Sequence, residues 1–149
     1  MTSNDFADDK SAGNGSGSDM PVPAGKSCEL LLIEDDSDLA TVMIQSMSGL
    51  SVRITHMEGQ VEGLQSIQES EPDLLILDLG LPDGDGHELV AQLRQLGLSK
   101  LPLIVYTVSD LSDKNKRDLK LGETHYLTKS HTSLGQLRAI VTDFIASAA

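Results

Sequence analysis

Glu71-Pro-Asp-Leu-Leu-Ile-Leu-Asp-Leu-Gly-Leu-Pro-Asp-Gly-Asp-Gly86 is the stretch whose reading decides the fold. Leu74 to Leu77 form an unbroken apolar run that meets Asp78 and then a Pro/Gly-rich turn. An apolar run of that length between turn signals reads as a strand buried on both faces, as in a parallel sheet. Asp78 then stands at the strand's carboxyl end, where open α/β sheets place their ligand crevice. An isolated Asp in such a place often does no more than cap the next loop. The other strand ends weigh against that reading here.

Outward from this strand the chain alternates apolar runs with amphipathic stretches. Upstream, Leu30-Leu-Leu-Ile33 predicts a buried strand that ends in Glu34-Asp35-Asp36-Ser37-Asp38. Leu39, Val42, Met43 and Met47 recur at helical spacing behind a cap at Asp36 or Ser37. Val52 to His56 alternates and predicts a second strand; Val61, Leu64 and Ile67 mark a second helix, stopped before Pro72. Downstream, Leu89, Val90, Leu93 and Leu96 predict a third helix closed by Gly97, and Leu103 to Thr107 a fourth strand. Residues 112–121 have helical length but few apolar residues, so that helix should be the least firmly anchored. Thr124 to Thr128 predicts a fifth strand, and Leu134, Leu137, Val141, Phe144 and Ala148 stripe the last helix. This succession of βα units implies an α/β fold, a parallel sheet with helices on both faces.

The strand ends carry Glu34 and Asp35, Asp78, Thr107 and, just beyond the fifth, Lys129. In a parallel sheet these lie along one edge and converge. Clustered carboxylates raise each other's pKa unless a cation intervenes. Mg²⁺ suits the cluster, since it takes hard oxygen ligands and uses one or two carboxylates together with phosphate oxygens. An Asp carboxylate is also a nucleophile toward phosphorus. Mg²⁺, Lys129 and the Thr107 hydroxyl would then neutralise and hydrogen-bond the phosphoryl group.

Composition narrows the classes. The sequence has 149 residues with a formal net charge of −12, which argues against broad contact with nucleic acid or anionic lipid. No apolar run approaches the roughly 18 residues of a membrane span, and the start lacks the basic and apolar segments of a signal peptide. A single cysteine, Cys28, makes no internal disulfide, so a cytoplasmic location is expected. Residues 1–26, with the run Ser11-Ala-Gly-Asn-Gly-Ser-Gly-Ser-Asp19, read as a disordered Gly/Ser-rich tail, and 27–149 as one folded domain.

Residues 28 to about 147 resemble the receiver domain of two-component response regulators. The resemblance is carried by Leu31-Leu-Ile-Glu-Asp-Asp36, by Pro72 through Pro82 with Asp85-Gly86, by Pro102-Leu-Ile-Val-Tyr-Thr107, and by Gly122 with Tyr126-Leu-Thr-Lys129. It implies a flavodoxin-like (βα)5 fold with strand order 2-1-3-4-5. It implies that Asp78 takes a phosphoryl group from a histidine kinase or phosphotransfer protein and signals through contacts with a downstream protein, without turnover chemistry beyond its own phosphorylation and dephosphorylation. Asp35, Asp78, the backbone carbonyl of Gly80 and, through water, Glu34 are then expected to hold Mg²⁺ or Mn²⁺. Thr107 and Lys129 are expected to contact the phosphoryl group, Tyr126 to move on switching, and Gly80 and Ser109 to flank the phosphoryl group and govern its hydrolysis. No output domain is legible after the last helix, so a single-domain regulator or a fragment is expected. The alternative is a receiver-like docking module that works without phosphorylation.

Two departures stand out from that family. Ser130 follows Lys129 where proline is usual, which predicts a looser loop, and Val108 replaces a small residue after Thr107, which predicts crowding of its path. Other readings fare worse. Asp83-Gly-Asp-Gly86 begins like a calcium loop but lacks the distal Glu. A nuclease-type metal site leaves Thr107 and Lys129 unexplained, and a haloacid-dehalogenase-like enzyme wants an Asp where Gly80 stands. His56, His87, His125 and His131 show no ligand spacing and read as surface or packing residues, and Cys28 as a bystander.

Overall fold

The computed structural model describes residues 27–84, 86–108 and 110–148, so the expected tail at 1–26 lies outside the described residues. Among the described residues ten elements alternate: β1 (Cys28–Ile33), α1 (Ser37–Ser46), β2 (Val52–Met57), α2 (Gln60–Glu69), β3 (Leu74–Leu77), α3 (His87–Gln95), β4 (Leu103–Thr107), α4 (Asp113–Asp118), β5 (Thr124–Thr128) and α5 (Leu134–Ala148). The strands form one sheet in the order β2-β1-β3-β4-β5, and every pairing is parallel. The flavodoxin-like order is therefore observed.

Burial follows position in the sheet. The apolar runs Leu30–Ile33, Leu74–Leu77 and Leu103–Thr107 are buried throughout, because β1, β3 and β4 have a strand on each side and helices on both faces. One layer packs Leu31, Ile33, Leu75, Leu77, Leu103 and Val105 against Ile67 of α2 and Leu89, Val90 and Leu93 of α3. The other packs Leu30, Leu32, Leu74, Ile76, Ile104 and Tyr106 against α1 and α5. At the edges, β2 alternates and β5 is only half-buried along its length.

Local signals behave as expected at most helix ends. Asp36 caps α1 by accepting from the Leu39 N–H at 3.1 Å. Gly97 takes a left-handed φ of 82° after α3, and the Leu98 N–H returns to the Leu93 carbonyl at 2.9 Å. Three expectations need correction. Val42 and Val61 are exposed, because Ala40 and Gly63 hold the inward positions on α1 and α2. Leu96 ends α3 as its cap residue and is exposed as well. Helix α4 is shorter than the predicted 112–121 and contains no buried residue, since Leu119 and Leu121 turn into the core only beyond its end.

Candidate functional site

Register builds the site. Ile33 pairs with Leu77 across β1 and β3, so Glu34 and Asp78, each the next residue, come side by side at the sheet's carboxyl edge. The ladder continues through that edge: the Asp78 N–H donates to the Ile33 carbonyl at 3.0 Å, and the Glu34 N–H to that of Met57 at 3.0 Å. On the other side Thr107 pairs with Thr128, and the Lys129 N–H donates to the Thr107 carbonyl at 2.7 Å.

Glu34, Asp35 and Asp78 consequently bring carboxylate oxygens within 4.8 Å of one another. Glu34 is 1% exposed and Asp78 6%, whereas Asp35 is exposed and opens the cluster to solvent. The Lys129 ammonium reaches across from β5, 2.8 Å from Glu34 Oε1 and 3.6 Å from Asp78 Oδ2. Burial pushes the Glu34 carboxyl above its ordinary value and the charge of Asp78 adds to this, against the Lys129 ammonium and the Asp36 N–H. Burial pulls Lys129 down, but its hydrogen bond to Glu34 and the charges of Asp78 and Glu34 outweigh it and hold the ammonium above its ordinary value. The cation that relieves the clustered acids is thus partly supplied by the chain itself.

Three hard oxygen donors around a solvent-open mouth fit a small divalent cation such as Mg²⁺. Gly80 lies beside the cluster: its N–H donates to Asp78 Oδ1 at 3.3 Å. Thr107, 3% exposed, and Tyr126 line a neighbouring cavity of about 260 Å³ together with Leu111 and Lys116. The Tyr126 hydroxyl donates to the Lys116 carbonyl at 2.5 Å, which ties β5 to α4. Ser109 lies outside the described residues.

Both departures take a milder form than expected. Val108 is 70% exposed, so most of its side chain meets solvent. The turn at Ser130 is closed, with the His131 N–H on the Thr128 carbonyl at 3.0 Å and the Tyr106 hydroxyl on that of Thr132 at 3.2 Å. Asp83 is taken up elsewhere, accepting from the N–H groups of Gln60 at 2.9 Å and Val61 at 3.1 Å. It caps α2, so the calcium reading loses its first ligand. One supporting residue was missed: His56 Nε2 lies 2.7 Å from the Glu34 carbonyl and donates to it, holding the main chain of the acidic pair. The available signal was its place at the end of β2, in register with Leu32.

Comparison with known proteins agrees with this geometry. The profile of the response regulator receiver domain matches residues 30–142. The KDP operon transcriptional regulatory protein KdpE of Escherichia coli K12 is 38% identical over 111 residues, which is 74% of this chain and 48% of that protein. The chain therefore spans about half the length of the curated relatives it matches. The signal receiver domain of a Luxo repressor protein from Vibrio parahaemolyticus is similar in structure, with a TM-score of 0.71 and 28% identity, over 83% of this chain and 93% of that one. The phosphorylated cyanobacterial phytochrome response regulator RcpA superposes with a TM-score of 0.68 and 27% identity, over 83% and 97% of the two chains.

Proposed function

The chain belongs to the response regulator receiver domain family, and from that premise we propose that it is a phosphoacceptor switch in which Asp78 carries the phosphoryl group. One observation supports this most: a nearly buried Asp78 lies among two further carboxylates, with the Lys129 ammonium 3.6 Å from its Oδ2. An Asp that merely capped a loop would have no reason to sit among like charges. The phosphorylated state in which the similar RcpA was solved points the same way.

In the proposed reaction a carboxylate oxygen of Asp78 attacks phosphorus in line. The new O–P bond forms as the P–N bond of a phosphohistidine, or the P–O bond of a small phosphodonor, breaks. The electron pair and any proton needed leave with the donor. Asp35, Asp78 and the Gly80 carbonyl would hold Mg²⁺ or Mn²⁺, with Glu34 acting through water. When bound, the ion supplies charge neutralisation for the phosphoryl oxygens. Lys129 is already placed to shift from Glu34 toward an anion on Asp78. The Thr107 hydroxyl hydrogen-bonds the phosphoryl group from β4, and Tyr126 releases the Lys116 carbonyl as it turns into the cavity beside Thr107.

The partners that suit this chemistry are a sensor histidine kinase or phosphotransfer protein on the input side and a downstream protein on the output side. We take 27–149 as the receiver unit, with no direct contact to nucleic acid or membrane and a cytoplasmic location. No helix among the described residues is long and apolar enough to cross a membrane. The deciding experiment is mass spectrometry after incubation with acetyl phosphate and Mg²⁺. Label on Asp78, lost in Asp78→Asn and in excess EDTA, is the expected result. Undiminished label in either control, or signalling that survives Asp78→Asn, would favour a docking module that works without phosphorylation.

A further inference from the structure

Helix α4 has no buried residue, so its position depends on what holds its ends. At the amino end the Ser112 side chain caps it, accepting from the Asn115 N–H at 3.1 Å. At the carboxyl end the last carbonyls of any helix lack helical donors. Two side chains from other elements serve them here. The Tyr126 hydroxyl takes the Lys116 carbonyl, and the Lys116 ammonium lies 5.8 Å from the centre of the Tyr126 ring. Arg94, in the last turn of α3, donates through Nη2 to the Asp118 carbonyl at 2.7 Å and to that of Lys120.

We infer that Arg94 is a second latch on α4 beside Tyr126, and that it sets how readily Asp78 accepts a phosphoryl group. The inference rests on the phosphoacceptor reading above. If Thr107 is drawn toward the phosphoryl group, α4, the next element along the chain, moves with it. The cavity lined by Thr107, Leu111, Lys116 and Tyr126 gives that movement room. The carbonyls held by Arg94, that of Asp118 in the last turn and that of Lys120 two residues past it, lie at the far end of α4, so a shift of the helix breaks or rearranges those bonds. A contact present in one of two arrangements biases their equilibrium by its differential worth. Phosphorylation then meets that bias as a reduced population of the receptive arrangement. Arg94 touches none of the reacting groups; it acts by positioning α4.

The test uses the full chain with Arg94→Ala and Arg94→Lys. It reads hydrogen–deuterium exchange over 113–120 in the unlabelled protein and the rate at which acetyl phosphate with Mg²⁺ labels Asp78. Arg94→Ala should exchange faster in that segment and label about three- to tenfold faster than wild type, the scale of the net worth of an ordinary hydrogen bond. Arg94→Lys keeps a donor and should fall between. Faster exchange with an unchanged labelling rate would make Arg94 a structural brace and overturn the inference. Slower labelling, or unchanged exchange, would overturn it too. A wild type that takes no label at Asp78 would bring down the phosphoacceptor reading and this inference together, whereas a labelled wild type matched by both variants would bring down the inference alone.

Discussion

Gly80 stands two residues past Asp78, and the space around it bears on the lifetime of a phosphoryl group. A Cβ at position 80 would lie 4.0 Å from Asp78 Oδ2 with no other neighbour that near, and the backbone there is not in the left-handed region. A side chain can therefore be added beside the phosphoacceptor without strain. Gly80→Met should shield phosphorus from in-line water and lengthen the life of phosphorylated Asp78 about two- to tenfold, tenfold being about 1.4 kcal/mol in barrier. Decay on a Phos-tag gel after donor removal measures it, and equal or faster decay refutes shielding at this position. Cys28 illustrates the opposite case, a chemically capable residue made inert by its surroundings. Burial first, then the charges of Asp73 and Glu29, push its thiol up from 9.0 to about 11. Reaction with iodoacetamide at pH 8 should accordingly be about a hundredfold slower in the native than in the unfolded chain. Because the folded pKa is the higher one, this thiol's contribution to stability is complete below pH 9 and lost as the pH rises through about 11. Similar alkylation rates in the two states would show that the thiolate is not suppressed.

Among the elements, α1 and α2 begin in different ways, and the difference separates what was legible from what was not. The Asp36 cap of α1 is three residues from the N–H it serves, so it was readable locally. Helix α2 starts at Gly59, which has no side chain, and its cap comes from Asp83 in the loop after β3. Gln60, buried, completes the tie by donating to the Asp83 carbonyl at 3.2 Å and accepting from the Gly86 N–H at 3.3 Å. No local pattern announces a cap borrowed across more than twenty residues. On α1 and α2 Met43, Met47 and Ile67 are buried as expected, but Val42 and Val61 face solvent; small Ala40 and Gly63 are buried instead, and at position 63 a Cβ would run into Ile33. Asp83→Ala should lower the urea midpoint of unfolding and leave Mn²⁺ affinity unchanged. The N–H groups of Gln60 and Val61 hold the Asp83 carboxyl below its ordinary value, so the cap's contribution is present above the ordinary carboxylate pKa. It is lost as the pH falls through the lowered value, and the gap between wild type and variant should close in acid. Asp35→Ala should do the reverse, weakening Mn²⁺ binding about tenfold or more with little change in the urea midpoint. Titration with Mn²⁺ as a relaxation probe decides, and equal losses of affinity would move the metal to the Asp83 loop.

At the scale of the whole molecule, the strand-end residues were legible because a parallel sheet delivers every carboxyl end to one edge. The pairing that sets Glu34 against Asp78, and the reach of Lys129 from an edge strand, are properties of register and appear only in the fold. That dependence has a thermodynamic consequence. Glu34 and Asp35 are far from Asp78 in the chain, and only the folded sheet brings their oxygens within 4.8 Å. A cation held by Asp35 and Asp78, with Glu34 acting through water, is bound by the folded state alone, so it must raise global stability by mass action. At a free Mg²⁺ concentration of about 100 times its Kd the gain is about 2.7 kcal/mol. For a domain of this size each kcal/mol moves Tm by roughly 2–8 °C, so the rise is measurable by thermal unfolding. It should keep rising with the logarithm of Mg²⁺ concentration above Kd, persist in Asp83→Ala, and fall by about half or more in Asp35→Ala, where a direct ligand is gone. The competing explanation is that Mg²⁺ merely screens a chain of net charge −12. Screening acts on every acid alike, so it would give Asp35→Ala nearly the same rise as wild type, and NaCl of equal ionic strength would reproduce it. That outcome would separate the carboxylate cluster from metal binding and leave Lys129 as its one counter-charge among the described residues.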